Sequence, residues 1–213
     1  LSLGVELLGT MPSGAATAPA VVRAAPLTVP SAGRPGFTRL TVEATGLAFT
    51  NRLSPQAAAE NQIRLNGSGV ALGDVNGDGL LDVFLCGLES TNRLFLNRGS
   101  LRFEPVAIPA AMALPGSFCS GAAFADVDGD QDLDLVVNAI GEGTRLFLND
   151  GTGGFSERAD AGLQRRGGAS SLALADADGD GDLDLYVVNY RTTTIRTTGF
   201  ALLNVGGRRV VPP

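Results

Sequence analysis

The chain has 213 residues, of which 44% are hydrophobic and 18% charged, and its formal net charge is −6. It contains no histidine, which excludes a Ser-His-Asp or Cys-His nucleophilic system and any histidine-ligated zinc centre within the chain. Because no apolar run approaches the ~18 residues of a membrane span, we expect no membrane insertion by this segment, and we expect no nucleic-acid partner.

The first part of the chain differs in composition from the rest. Residues 1–35 are rich in Ala, Pro, Gly and Val, and we interpret them as a linker or the remnant of a leader. Residues 36–50 are predicted to form an outer strand without a repeat of its own, followed by an insertion at 51–66. The strand prediction depends on Gly-Phe and Gly-Leu pairs that recur later, at Gly36-Phe37, Gly46-Leu47, Gly154-Phe155 and Gly162-Leu163.

Three copies of an acidic nonapeptide organise the remainder. We call them loop 1 (residues 74–82), loop 2 (126–134) and loop 3 (176–184). Thirteen of the 22 acidic residues lie in them, which leaves nine elsewhere against 16 Lys and Arg. Carboxylates crowded in this way repel one another unless a cation lies among them. The loops therefore account for the negative charge of the chain and predict about three cation sites.

The similarity between the copies extends beyond the loops. Each loop follows a short run of small and apolar residues and precedes a β-branched or aromatic run, a turn, a Leu-Phe-Leu-Asn-like run and a further strand. Four antiparallel strands recurring about every 50 residues are typical of a β-propeller blade. We therefore predict an all-β fold in which 36–213 form a partial propeller, with blade one at 67–108, blade two at 119–160 and blade three at 169–213.

Three blades do not close a propeller ring, which has typically four to eight blades. We therefore expect further blades, either from the same longer chain or from a second copy.

Oxygen ligands in this pattern suit Ca²⁺, and the end of the nonapeptide distinguishes between the known types of calcium-binding loop. An EF-hand has a bidentate Glu at position 12 and helices on both sides. Position 12 is Leu85, Val137 or Val187, each within a strand-like run. The RTX nonapeptide does not match either. A loop closed by Asp at position 9 between two strands is the remaining interpretation.

With these motifs the chain resembles the FG-GAP/VCBS repeat family, the bacterial relatives of the integrin α-subunit propeller. The residues around Gly46-Leu47 and Gly67–Asp74 are similar to bacterial proteins related to cartilage acidic protein. The resemblance implies a Ca²⁺ ion in each loop, held by side chains at positions 1, 3, 5 and 9 and a backbone carbonyl at position 7. The implied side-chain ligands are Asp74, Asn76, Asp78, Asp82, Asp126, Asp128, Asp130, Asp134, Asp176, Asp178, Asp180 and Asp184, and the carbonyls are those of Leu80, Asp132 and Asp182.

Loops 1 and 2 depart from this pattern. Gln131 occupies position 6, where Gly79 and Gly181 offer an unrestricted backbone, and a non-glycine residue at positive φ costs on the order of 1 kcal/mol. Asn76 removes one negative charge from loop 1. We expect loop 3 to bind most tightly, an order that calorimetric titration of single-loop variants would establish.

The resemblance favours a non-catalytic, extracellular, cell-surface or periplasmic calcium-binding domain for adhesion or for recognition of a protein or carbohydrate ligand. There are two alternatives: the propeller portion of a polysaccharide lyase or hydrolase, and a structural spacer in a large secreted protein. The insertion at 51–66 and a long Thr-rich turn at 190–198, with Arg191 and Arg196, are candidate ligand-binding features.

Two cysteines, Cys86 and Cys119, are too few for a zinc cluster or a disulfide scaffold. Two small buried apolar side chains are the favoured interpretation, and a single disulfide is the alternative.

Overall fold

The computed structural model describes residues 36–163 and 167–190, together with the backbone of two short strands near the C-terminus. The elements lie in one compact unit, Arg39–Pro213, and are mainly antiparallel strands, so the fold is all-β. No helix in the described ranges combines the length and apolar character needed to cross a bilayer.

The first repeat is a four-stranded antiparallel sheet whose strands pair in chain order. Loop 1 joins the first two strands, and Gly73 pairs with Asp82 across it. The strands are β1 (Val70–Gly73), β2 (Asp82–Leu85), β3 (Arg93–Asn97) and β4 (Phe103–Val106).

The second repeat has the same topology, which confirms the predicted four-stranded antiparallel repeat in both cases. A short helix, α3 (Ala110–Ala113), lies between the two sheets in sequence. The strands are β5 (Cys119–Ala125), β6 (Asp134–Ala139), β7 (Gly143–Asn149) and β8 (Phe155–Glu157).

The third repeat is present as two separate ladders. Loop 3 joins β9 (Ala169–Ala175) to β10 (Asp184–Asn189), and β11 (Leu203–Val205) pairs with β12 (Arg208–Val210). The Thr-rich turn predicted at 190–198 lies, apart from Tyr190, outside the described residues.

Adjacent repeats pack through their first strands, because β5 lies against both β1 and β9. Glycine permits this approach: a Cβ placed on Gly69, just before β1, would lie 2.5 Å from the Cα of Gly121 in β5. The small residues expected in the first strand are therefore needed where neighbouring repeats meet.

One hydrophobic core spans the first two sheets. Phe84, Phe95 and Phe147 are its largest fully buried side chains, and Phe84 packs edge-on against Phe124 of the next repeat. Burial of apolar area of this kind is the main stabilising contribution to such folds.

A smaller core lies at the other end of the sheets from the loops. The insertion forms α2 (Pro55–Glu60) and a 3₁₀ helix (Gln62–Asn66), and it packs on Leu88, Phe118 and Ile140. Arg64 is 4% exposed and lies 3.6 Å from the centre of the Phe118 ring, a cation–π contact.

The prediction of an outer strand over 36–50 is wrong, since the described residues there contain the helix α1 (Val42–Thr45) and no strand. The hydroxyl of Thr41 caps the helix by accepting from the Ala44 N–H, and Gly46 ends it in the left-handed conformation. These capping signals determine the local structure in spite of the Gly-Leu pair. The segment still lies against β4, because a Cβ on Gly46 would clash with the Phe103 carbonyl.

Both cysteines are free and fully buried, so the interpretation as small buried side chains is confirmed. Burial raises the pKa of both thiols, to about 11 for Cys119. The neutral thiol is therefore favoured, and neither group is suited to nucleophilic chemistry.

We predict that Gly69→Ala destabilises the fold by about 2 kcal/mol, because the new methyl group would meet the Gly121 backbone, which cannot move aside as a side chain can. Gly121→Ala is the matched control, since its Cβ would lie 3.7 Å or more from its neighbours. Urea denaturation of both variants measures the difference, and equal midpoints would contradict the close packing of β1 on β5.

Candidate metal centre

The three loops share one hydrogen-bond frame. The position 1 carboxylate accepts the N–H of position 6 in each loop, at 2.7 Å for Asp74, 3.0 Å for Asp126 and 3.1 Å for Asp176. The position 5 carboxylate accepts the N–H of position 7 at 2.9–3.0 Å. The same backbone path is thus followed three times, as the recurring sequence predicts.

In loops 2 and 3 the frame brings three carboxylates together. One oxygen from each of Asp126, Asp128 and Asp130 lies within 4.8 Å of the others, and the same holds for Asp176, Asp178 and Asp180. No salt bridge in the described part of the chain reaches any of these six side chains. A cation between them would relieve the repulsion between these carboxylates.

Loop 1 differs at position 3. The Asn76 side-chain amide donates to Asp78 Oδ2 at 3.1 Å, while its Oδ1 accepts the Asp78 N–H at 3.2 Å. The amide nitrogen thus partly offsets the charge of Asp78. The candidate ligand oxygen at position 3 of loop 1 is therefore neutral and already hydrogen-bonded.

The position 9 aspartates have a different environment from the other predicted ligands. Asp82 and Asp134 are fully buried, and Asp134 is not part of the carboxylate group of loop 2. The two oxygens of Asp134 accept the N–H groups of Val127, at 3.0 Å, and Asn149, at 2.9 Å. Asp82 makes the same pair of bonds with Val75 and Asn97, so in both sheets this carboxylate fastens the loop to the third strand.

Burial raises the pKa of Asp82 and Asp134, whereas the hydrogen bonds from backbone N–H groups lower it. Burial is the larger effect, and nearby loop carboxylates add to it. An ionised carboxylate at position 9 is therefore held at some cost in free energy.

In loop 3 the position 9 residue Asp184 is exposed, although its Oδ2 also accepts from the Ala177 N–H at 3.0 Å. The position 7 residues Leu80, Asp132 and Asp182 are fixed through their N–H groups. Their expected role as carbonyl ligands stays a prediction.

The backbone at position 6 agrees with the sequence interpretation. Gln131 has φ 75°, close to Gly79 at 82°, and Gly181 has φ 97°. The backbone of Gln131 therefore lies in the left-handed region, which disfavours a residue with a Cβ.

Sequence reasoning assigned no role to the Asn that ends each Leu-Phe-Leu-Asn run. Asn97 and Asn149 donate their backbone N–H to the position 9 carboxylate, and their amide groups donate to the carbonyls of Leu81 and Leu133. Asn149 also donates to the Val75 carbonyl of the preceding loop at 2.8 Å. Recurrence of this Asn at one register was the signal that could have identified it.

These features define a tandem-repeat all-β protein in which an acidic loop joins the first two strands of each repeat. The FG-GAP-like repeat family matches residues 74–137 and 136–187, more than half of the chain. The chain therefore belongs to the FG-GAP-like repeat family. No curated protein sequence matches it.

We predict that Asp134→Asn lowers the free energy of unfolding by about 1–3 kcal/mol in EDTA, because an amide has one acceptor oxygen for two buried N–H groups. Asp130→Asn is the matched control, because the Asp130 side chain is exposed and an asparagine there keeps an oxygen for the Asp132 N–H. This substitution should change stability by about 0.5 kcal/mol or less. Chemical denaturation measures both, and equal effects would be inconsistent with the buried role of position 9.

Proposed function

We propose that the chain is a calcium-stabilised, non-catalytic repeat domain that recognises a protein or glycan ligand outside the cytoplasm. The supporting observation is the convergence of the carboxylates at positions 1, 3 and 5 in loops 2 and 3. Three carboxylate oxygens that lie within 4.8 Å of one another are suited to a divalent cation rather than to acid–base chemistry.

The donor set fits Ca²⁺. Every candidate ligand atom is an oxygen, which is the ligand type that this hard cation requires, and no cysteine or histidine lies in the loops. Each oxygen of the position 9 carboxylate accepts one N–H in the first two sheets and keeps a further lone-pair site. The residues predicted from the sequence at positions 1, 3, 5, 7 and 9 would hold the ion.

The ion would contribute stability rather than reactivity. Its ligands come from a loop whose ends are fixed on two strands, so they converge only when the sheet has formed. Binding to the folded state alone shifts the folding equilibrium towards that state. Repeat domains of this family are generally non-catalytic, which favours recognition over turnover.

We further propose that the sheets are blades of a larger propeller. Phe124 and Leu133 of repeat 2 lie against Gly73 of repeat 1. At the positions equivalent to these residues, Leu72 and Leu81 of repeat 1 are about 60% exposed. A further blade of the same kind, from a longer chain or a second copy, would cover them.

The other end of the array supports the same proposal. Tyr186 is 72% exposed, whereas its counterparts Phe84 and Val136 in the first two repeats are buried. Repeats 1 and 2 each have a following repeat packed against them, and there the residue at this position is buried. An uncovered face of this kind favours association with another sheet.

An extracellular or periplasmic location fits the proposed metal. Exposed loops of this kind suit the millimolar calcium found outside cells better than cytosolic concentrations.

We predict that millimolar Ca²⁺ raises the melting temperature by about 5 °C or more relative to EDTA, since ligand at about 100 times its Kd contributes about 2.7 kcal/mol per site. The double variant Asp130→Asn with Asp180→Asn should lose most of this shift, because each substitution removes a central carboxylate. Scanning calorimetry in both buffers is the measurement, with Mg²⁺ as the control ion. An unchanged melting temperature in Ca²⁺ would contradict the proposal that calcium stabilises the domain.

We predict that the chain self-associates through the exposed face of repeat 1 and that Leu72→Asp weakens this association. Leu101→Asp is the matched control, since Leu101 is similarly exposed in the turn between β3 and β4. Sedimentation equilibrium in calcium compares the three proteins. A native chain that stays monomeric would restrict the partner to further blades of the same polypeptide.

A further inference from the structure

A cleft of about 370 Å³ lies at the end of the first sheet opposite loop 1. Residues 48–50 and Arg52 form one wall, and residues 89–91 and Arg93, at the turn from β2 to β3, form the other. The cleft is therefore separate from the acidic loops, and its size is in the range of small-ligand sites.

The walls of the cleft are held in place by hydrogen bonds between them. The Leu88 N–H donates to Asn51 Oδ1 at 2.9 Å, and the Glu89 N–H donates to the Arg52 carbonyl at 3.1 Å. The Ser90 hydroxyl donates to the Thr50 carbonyl at 2.8 Å. The backbone of the two walls is therefore ordered before a ligand binds, which lowers the entropic cost of binding.

Two arginines, Arg52 and Arg93, line the cleft without a carboxylate partner. Within the part of the chain that the structure describes, neither guanidinium forms an ion pair or a side-chain hydrogen bond. Glu89 also lines the cleft, but its two oxygens accept the backbone N–H and the hydroxyl of Ser54 at the start of α2. The cleft therefore has an excess of positive charge and two guanidinium groups free to bind a carboxylate in a two-bond arrangement.

The remaining lining residues have the character of a sugar site. Thr50 and Thr91 contribute hydroxyl groups for which no partner is found among the described residues. Phe49 is partly buried and contributes an apolar aromatic surface. Hydroxyl groups, an aromatic ring and free guanidinium groups together match the three surfaces of an acidic sugar: its hydroxyls, its C–H face and its carboxylate.

We propose that this cleft binds a uronate unit of an acidic glycan, with Arg52 and Arg93 on the carboxylate and the threonine hydroxyls on the ring hydroxyls. The proposal deepens the recognition function proposed above and depends on it. An acidic peptide would also offer carboxylates, but a uronate adds ring hydroxyls and a C–H face for the threonine hydroxyls and Phe49 to contact.

The experiment uses trigalacturonate as the probe and isothermal titration calorimetry of the calcium-loaded chain as the readout. The fully methyl-esterified trimer is the matched ligand, since it keeps the sugar rings and lacks the charge, and triglutamate represents an acidic peptide. We expect the free acid to bind, and the ester and the peptide to bind at least about tenfold more weakly.

Variants locate the interaction. Arg52→Gln and Arg93→Gln should each weaken trigalacturonate binding by about tenfold or more, because each removes a charged hydrogen-bonding group. Arg98→Gln is the matched control, as this exposed arginine pairs with Glu104 at the loop end of the same sheet, and its effect should be twofold or less.

Three results would overturn the proposal: no binding of trigalacturonate, equal binding of the ester, or wild-type affinity in both cleft variants. Triglutamate binding that equals or exceeds that of the sugar would assign the cleft to acidic peptides instead. The calcium-dependent melting temperature of each protein is measured alongside. A normal calcium shift with no uronate binding would reject this site alone, whereas a lost shift in the native chain would reject the calcium-stabilised domain itself.

Discussion

The structure depends on a buried carboxylate that accepts two backbone N–H groups. In the first sheet this is Asp82, which bonds to Val75 at the start of loop 1 and to Asn97 at the end of β3. Asp134 does the same in the second sheet. The carboxylate thus closes the loop and fixes its register on the strands, and in loop 2 it leaves the carboxylates at positions 1, 3 and 5 to converge. Loss of either N–H partner would leave a buried charge unsatisfied, which is costly.

The second constraint is the close approach of neighbouring repeats. Gly69 lies against the backbone of Gly121, and the Asn149 amide crosses from the second repeat to the carbonyl of Val75 in loop 1. Loop 1 is therefore supported by its own sheet and by the end of β7 in the next repeat. The acidic loops gather at one end of the sheets, while the insertion, Arg64 and the arginine-lined cleft lie at the other. The proposed metal sites and the proposed ligand site therefore lie at opposite ends of the same strands.

Much of the fold was predictable because its determinants are local. The nonapeptide and the apolar runs beside it indicated four strands per repeat, and the sheets of repeats 1 and 2 confirm this order. The error at 36–50 arose because a repeated Gly-Leu pair was given more weight than Thr41 and Gly46, which cap a helix. The cleft was not predicted, because Arg52 and Arg93 are 41 residues apart and nothing in their local sequence marks them as neighbours.

The sequence by itself determined the family, the strand order within a repeat and the candidate ligand positions. Each of these follows from residue types at fixed short spacing, which the backbone geometry of one loop and two strands translates directly into structure. Only the tertiary structure decided that the position 9 carboxylate is buried in the first two repeats, while the carboxylates at positions 1, 3 and 5 converge in loops 2 and 3. It also decided that Asn149 joins two repeats and that two arginines share a cleft. Burial and contacts between distant residues depend on how the sheets pack, and a spacing pattern carries no information about that packing.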